Sequence, residues 1–168
     1  MKLKVSEFYL GFQNKTFKIF SKDLADRGTI YKKDIIIATL SLIKEKDFFF
    51  LRGNLMTTIE YSCVRCLKKI PTKINLPINI LILEKTMNYT RKTDYDILYF
   101  NNSDDYVNLK NILADLIALA EPIKTLCKKE CVGLCPTCGI EKTNACNCNE
   151  HINNDAWNKL KDLHFQQH

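Results

Sequence analysis

The chain has 168 residues, of which 46% are hydrophobic and 26% charged, values of a globular domain that can bury a core without disulfides. Its net charge of +6 is uneven: residues 1–92 hold 18 Lys and Arg against 8 Asp and Glu, whereas residues 93–168 hold 7 against 11. A basic portion suits phosphate-rich partners, although a solvated surface has the same composition. No run of about 18 apolar residues and no signal peptide is visible, so we expect an intracellular protein without membrane association.

Alternating hydrophobic residues predict strands in the first half of the chain. Three strands are expected, over residues 34–43, 48–61 and 70–84, and residues 16–20 are a further candidate. In the second strand the apolar residues share one face by period 2: Phe49, Leu51, Leu55, Ile59 and Tyr61. The short polar turn at residues 44–47 predicts a hairpin. Pro77 cannot donate a backbone hydrogen bond, so it indicates an edge position or a bulge in the third strand.

The hydrophobic period changes in the second half. Residues 86–105 are polar and predict a long loop with one short strand at residues 97–100. Apolar residues at helical spacing then predict a helix over residues 109–121, which Pro122 ends. A short C-terminal helix is expected from Asn154 or Asp155, with Trp157 on its apolar side. The predicted fold is α+β: a mostly antiparallel body with a packed helix (residues 1–125), then a Cys-rich zinc-binding segment and short helix (residues 126–168).

Six of the eight cysteines fall within residues 127–148, in the order C-x3-C-x3-C-P-T-C-G followed by C-x-C. The C-P-T-C-G element predicts a tight turn in which Gly139 tolerates a positive φ and backbone N–H groups can point at sulfur. In a reducing compartment such spacing indicates a metal site rather than disulfides. Four thiolates in a tetrahedron suit Zn²⁺ and leave no open position for chemistry.

The ligand set has one well-defined pair, Cys135 and Cys138. The predicted zinc ligands are Cys127, Cys131, Cys135 and Cys138. Cys146 and Cys148 are alternates to Cys127 and Cys131, and His151 could substitute as a ligand. Cys63 and Cys66 are further alternates. An iron–sulfur cluster is a further interpretation of the same cysteines.

A separate pair, Cys63 and Cys66, lies between the second and third predicted strands, at the expected hairpin tip. It fits a zinc half-site completed by another pair, a redox dithiol, or two unligated cysteines. A redox dithiol is expected at a helix N-terminus in a βαβ setting, whereas strands flank this pair. Eight cysteines allow two four-thiolate sites, or one site with a nearby pair.

Other catalytic signals are sparse. The chain has three histidines and five glycines, with no glycine-rich phosphate loop and no G-x-S-x-G motif. We therefore expect a non-enzymatic protein with no small-molecule substrate.

The order of these parts resembles the YceD family, the large ribosomal RNA subunit accumulation proteins of bacteria and plastids. The resemblance covers roughly residues 34–165. It is carried by residues 61–67 (YSCVRCL), 120–123 (AEPI), 126–139 (LCKKECVGLCPTCG), 146–148 (CNC) and 157–163. It implies a role in accumulation or processing of large-subunit ribosomal RNA, hence in ribosome assembly, with no known catalytic activity. It implies ribosomal RNA or pre-50S components as partners, and the bacterial cytoplasm or plastid stroma as the compartment.

Basic residues at and beyond the hairpin that bears Cys63 are candidates for contact with RNA or a ribosomal protein: Arg52, Arg65, Lys68, Lys69 and Lys73. Two rival functions remain. A zinc-ribbon transcription factor would carry basic residues near Cys135 and Cys138, whereas the C-terminal portion of the chain, residues 93–168, is acidic as a whole. A dithiol oxidoreductase would use Cys63 and Cys66.

Overall fold

A computed structural model describes residues 1–46, 48–87 and 94–142, together with Cys146 and Cys148. These residues form seven strands and two helices, with a 3₁₀ turn at Ser21–Asp23. The strands are β1 (Lys2–Lys4), β2 (Phe12–Phe20), β3 (Ile35–Lys44), β4 (Phe49–Ser62), β5 (Lys69–Glu84), β6 (Asp96–Phe100) and β7 (Tyr106–Asn108). The helices are α1 (Val5–Leu10) and α2 (Lys110–Leu119). No helix in this part of the chain is both long and apolar enough to cross a membrane.

Five strands form one sheet in the order β2-β3-β4-β5-β6. The first four pair antiparallel, and β6 adds parallel to β5. Strands β1 and β7 form a separate antiparallel pair. The predicted fold class, α+β with a mostly antiparallel body and a packed helix, is confirmed.

The β4–β5 hairpin is longer than its neighbours. Its register runs without a bulge from Phe49 opposite Ile82 to Ser62 opposite Lys69. Strand β3 accompanies β4 only as far as Met56, and β6 pairs with β5 only from Ile80 onward. Beyond these partners the hairpin is a two-stranded ribbon except at residues 58–60, where Tyr31 bridges antiparallel to Ile59 and two backbone hydrogen bonds join residues 30–32 to β4. Pro77 lies in the portion of β5 that has no β6 partner, so the predicted edge position is confirmed.

One face of the sheet builds the core. Residues that alternate along β3, β4 and β5 point to this face and are fully buried, among them Leu40, Leu51 and Ile80. Helix α2 contributes Leu113 and Ile117 to the same cluster. Helix α1 contributes Phe8. Because both helices and the small sheet join this cluster, the body has one main core on one side of the large sheet.

The opposite side of β2–β5, here called the open face, carries the other alternating positions. Its only buried cluster among the described residues is small: Phe50, Leu81 and Leu83. Elsewhere on this face apolar side chains remain exposed.

Several element boundaries differ from the sequence prediction. Strand β2 begins at Phe12 rather than at residue 16, while the short strand and the helix were placed within a residue or two. Strands β1 and β7 and helix α1 were not predicted. The predicted C-terminal helix with Trp157 lies outside the described residues.

Candidate metal centre

The cysteines of the described chain gather into two groups of four. The hairpin cluster consists of Cys63, Cys66, Cys127 and Cys131. The knuckle cluster consists of Cys135, Cys138, Cys146 and Cys148. Within each group all four sulfur atoms lie within 4.8 Å of one another.

The sulfur–sulfur distances can be tested against a tetrahedral ion. A Zn–S bond of about 2.3 Å places the sulfurs of a regular tetrahedron about 3.8 Å apart. The Sγ atoms of Cys63 and Cys131 are 3.8 Å apart, and those of Cys66 and Cys127 are 3.6 Å apart. In the knuckle cluster Cys138 and Cys146 are 3.7 Å apart. These three distances match a tetrahedral metal ion, and the other sulfur atoms of each set lie within 4.8 Å of one another.

The hairpin tip shapes half of the first cluster. Cys63 N–H donates to Lys68 O at 2.9 Å, and Leu67 N–H donates to Cys63 O at 2.9 Å. Leu67 adopts a φ of 60°, which closes this turn in the left-handed region. The turn lies between β4 and β5, so the predicted hairpin-tip position of Cys63 and Cys66 is confirmed.

Hydrogen bonds hold the cysteine-rich segment against this tip. Thr125 donates its hydroxyl to Ser62 O at 2.6 Å and accepts a bond at its carbonyl from Val64 N–H at 3.0 Å. The Arg65 guanidinium donates from Nη1 to Cys131 O at 2.6 Å. Arg65 O accepts from Leu134 N–H at 3.1 Å. These contacts join two parts of the chain that are more than 60 residues apart in sequence.

The knuckle cluster starts from the C-P-T-C-G turn. Gly139 has a φ of 71° and donates its N–H to Cys135 O at 2.8 Å, so the predicted positive φ is confirmed. Cys135 N–H donates to Ile140 O at 2.8 Å. Leu134 bridges antiparallel to Glu141. The chain therefore reverses locally, which leaves the first two sulfurs side by side.

One thiol in the hairpin cluster, that of Cys63, ionises more easily than an ordinary cysteine. Burial opposes ionisation of Cys63, but backbone N–H groups led by that of Cys127 outweigh it and lower the pKa of this thiol to about 6. Cys131, and then burial, raises the pKa of Cys127 to about 12. Two thiolates in contact repel, so complete ionisation of the group requires a cation.

The knuckle cluster repeats this pattern. The N–H groups of Cys138 and Thr137 lower the pKa of Cys135 to about 6. Cys138 is the main cause that raises the pKa of Cys148 to about 12. Each cluster thus combines one thiol of lowered pKa with thiols of raised pKa, Cys127 and Cys148 among them, whose deprotonation a bound metal ion would favour.

The structure divides the four cysteines predicted as one zinc site. Cys127 and Cys131 lie with Cys63 and Cys66, whereas Cys135 and Cys138 lie with Cys146 and Cys148. The spacing of the cysteines does not reveal this division, because two pairs that are adjacent in sequence, Cys127/Cys131 and Cys135/Cys138, belong to different clusters. The sequence feature that indicates two clusters is the total of eight cysteines, which is enough for two four-cysteine sites.

The five basic candidates separate into two locations. Arg65 and Lys68 belong to the hairpin tip, and the side chain of Arg65 is engaged with Cys131. Arg52, Lys69 and Lys73 lie on β4 and β5 and point to the open face. Lys69 pairs with Glu60 at 3.0 Å, and the Arg52 guanidinium stacks 4.0 Å from the centre of the Phe50 ring. Lys18 and Lys33, near the same face, were missed because they precede the hairpin.

Comparison with known proteins supplies the family. A family model described as large ribosomal RNA subunit accumulation protein YceD matches residues 51–164, a span that contains all eight cysteines. The chain belongs to the YceD family. The resemblance noted from the cysteine motifs is therefore confirmed.

Curated relatives of this YceD-family chain are distant. Uncharacterized proteins of Mycobacterium bovis and Mycobacterium tuberculosis are 20% identical over 138 residues, 82% of this chain and 64% of theirs. A maize protein named large ribosomal RNA subunit accumulation protein YCED homolog 1, chloroplastic, is 22% identical over 141 residues, 67% of this chain and 48% of its own length. The chain thus spans less than two thirds of these relatives. No solved structure shows a significant match.

Proposed function

We propose that this protein is a non-enzymatic ribosome-biogenesis factor that supports accumulation and processing of large-subunit ribosomal RNA. The observation that carries the proposal is the family match over residues 51–164. The partners would be ribosomal RNA or components of the pre-50S particle, and the compartment a bacterial cytoplasm or plastid stroma. The maize relative is named as a chloroplastic accumulation protein, which supports both expectations.

Zinc is the ion proposed for both clusters. In each cluster four cysteine sulfurs lie within 4.8 Å of one another, with contacts of 3.6–3.8 Å among them, which fits one tetrahedral zinc ion. An iron–sulfur cluster instead distributes its thiolates over several irons. A site closed by four thiolates offers no position for water or substrate. The proposed role of the metal is therefore to hold the hairpin tip and the cysteine-rich segment together, which agrees with a binding factor rather than an enzyme.

The cellular test is deletion of the gene followed by analysis of ribosomal RNA and particles. We expect less mature large-subunit RNA and co-sedimentation of a tagged copy with pre-50S particles. Absence of the tagged protein from every ribosomal fraction, with intact large-subunit RNA in the deletion strain, would contradict the proposal.

The metal test is native mass spectrometry of the purified protein. We expect two zinc ions per chain, falling to one in Cys63→Ser and to one in Cys148→Ser, because each substitution opens only its own cluster. The matched control Ser62→Ala, an exposed neighbour of Cys63, should retain two ions. A single ion in the unmodified protein would refute the two-site arrangement.

The rival functions make different predictions. A dithiol oxidoreductase would use Cys63 and Cys66 to reduce a protein disulfide such as that of insulin. We expect no turnover from the zinc-loaded protein, because metal-bound thiolates are not free nucleophiles. A zinc-ribbon transcription factor would bind duplex DNA in preference to RNA, so competition between the two nucleic acids separates that function from the proposed one.

A further inference from the structure

We propose that the open face of the large sheet is a docking surface for single-stranded RNA. This inference rests on the proposed function and names the surface that would contact the RNA. In the part of the chain that the structure describes, both helices and the small sheet belong to the main core cluster on the other face. The open face of β2–β5 therefore has no helix or sheet from the described residues packed on it.

The charge of this face matches a polyanion. Its outward positions on β2–β5 carry Lys18, Arg52, Lys69 and Lys73. Glu60 is the single carboxylate at these positions, and it is paired with Lys69 at 3.0 Å and with Lys32 at 3.4 Å. Lysine and arginine that are not committed to carboxylates are free to neutralise phosphates and release counterions.

An apolar groove lies among these charges. Ile37 is opposite Met56 in the β3–β4 register, and Ile35 is next on the same side of β3. These three side chains are 38–50% exposed, which is unusual for a cluster of large apolar groups on a sheet. With Lys33 and Lys73 they line a groove of about 350 Å³. A nucleobase in this groove would cover apolar surface while its phosphates remain near the lysines.

Aromatic rings with cations over them stand at the two ends of the face. At one end Lys22 lies 5.6 Å from the centre of the exposed Phe20 ring. At the other end the Arg52 guanidinium covers the buried Phe50 ring and is itself the plane open to a base. It lies beside a second pocket of about 270 Å³, which Tyr95 and Glu45 also line. Flat rings and guanidinium planes are the groups on which successive bases of a single strand stack.

Hydrogen-bonding side chains occupy the rows between these rings. Thr39 is paired in register with Asn54 on one side and with Thr16 on the other. Amide and hydroxyl groups can bond to exposed base edges, which a single strand offers and an A-form duplex hides in its deep groove. An acidic peptide could pair with the lysines and place apolar side chains in the groove, but it has no bases to stack on the aromatic ring and the guanidinium plane. The face therefore favours RNA.

The test measures binding of a fluorescent single-stranded oligouridylate of about 12 nucleotides, a length that one such platform covers. The variant Lys18→Gln/Lys33→Gln/Lys73→Gln should bind on the order of tenfold more weakly, and its salt slope should fall by about 2. The matched control Lys2→Gln/Lys4→Gln/Lys110→Gln removes the same charge from β1 and from α2, whose residues join the core cluster on the other face. Equal losses in both variants would overturn the proposal, because only net charge would then matter.

A second variant tests stacking separately from charge. Phe20→Ala should weaken binding by about fivefold or more without changing the salt slope. Its side chain is 47% exposed, so the fold should tolerate the change, and an unchanged circular dichroism spectrum verifies this. Unchanged affinity in Phe20→Ala together with displacement of the RNA by an acidic peptide of equal length would assign the face to a protein partner instead.

The two proposals can fail independently. Loss of large-subunit RNA in the deletion strain, combined with no oligouridylate binding by the pure protein, would refute the docking surface and leave the proposed function intact. Binding that depends on the three lysines, combined with normal large-subunit RNA after deletion, would support the surface and refute the function.

Discussion

Gly53 is the residue on which the close approach of β3 and β4 depends. It lies opposite Leu40 in the register and has a φ of 155°, a conformation that residues with a side chain rarely adopt. A β-carbon at this position would lie 2.0 Å from Thr39 O, far inside van der Waals contact. The strand pair can therefore keep its register only with glycine at residue 53.

Gly53→Ala should lower the free energy of unfolding by about 3 kcal/mol or more, because the added methyl group must push two paired backbones apart. Urea unfolding followed by circular dichroism measures this loss. Gly28→Ala is the matched control, since Gly28 also has a positive φ, 78°, but nothing lies within 4 Å of a β-carbon there. The control should lose only about 1 kcal/mol. Equal losses would mean that the contact with Thr39 is not limiting.

Glu60 gives the hairpin a pH dependence. Hydrogen bonding to Lys69 is the largest cause that lowers the pKa of this carboxyl below the ordinary value for glutamate. A depressed folded-state pKa stabilises the protein above the pKa of the unfolded chain, and the stabilisation disappears as the pH falls through the lowered folded value. Glu60→Gln should therefore be less stable than the unmodified protein at pH 7, and the difference should shrink once the pH falls below the ordinary pKa of glutamate. A difference in stability that stays constant from neutral pH down to the onset of acid unfolding would contradict this origin.

At the scale of elements, the sequence predicted those whose hydrophobic period is long and regular. Strands β3, β4 and β5 alternate over ten or more residues, and α2 repeats its apolar residues across its whole length. Helix α1 has six residues and buries only Val5 and Phe8, so it presents no measurable period. Strands β1 and β7 have three residues each and exist through long-range pairing with each other. Local sequence carries little information about such pairings.

Helix α1 should nevertheless contribute strongly to stability through Phe8. The ring is fully buried and contacts Phe49 and Phe100, with centroids 5.2 and 5.5 Å away. Phe8→Ala should cost about 3–5 kcal/mol, because it removes apolar burial and leaves a cavity. Leu10→Ala, in the same helix at an 89% exposed position, should change stability by less than about 0.5 kcal/mol. Thermal unfolding of both variants checks the contrast, and similar midpoints would show that α1 is not anchored by this ring.

At the scale of the whole molecule, the site depends on contacts that spacing does not encode. The eight cysteines that form the two clusters were all candidate ligands from the sequence motifs. The C-P-T-C-G motif also predicted the turn with a positive φ at Gly139. The partner of Cys127 is Cys66, which is 61 residues earlier, and it is brought close by the length of the β4–β5 hairpin. Which pairs share a cluster is therefore decided by tertiary structure.

This arrangement separates the metal sites from the main core. None of the eight cysteines belongs to the hydrophobic core that joins the large sheet to α1 and α2.

If zinc holds the two cysteine clusters, a strong chelator should leave the β-sheet signal in far-ultraviolet circular dichroism largely unchanged, because the core that orders the sheet is intact. The cysteine-rich segment should lose its attachment, since the remaining bonds between residues 125–134 and the hairpin tip are few. Trypsin should then cleave after the exposed Lys128 and Lys129 about tenfold faster, and added zinc should restore resistance. Loss of the sheet signal together with the metal would show instead that the whole body folds around the two ions.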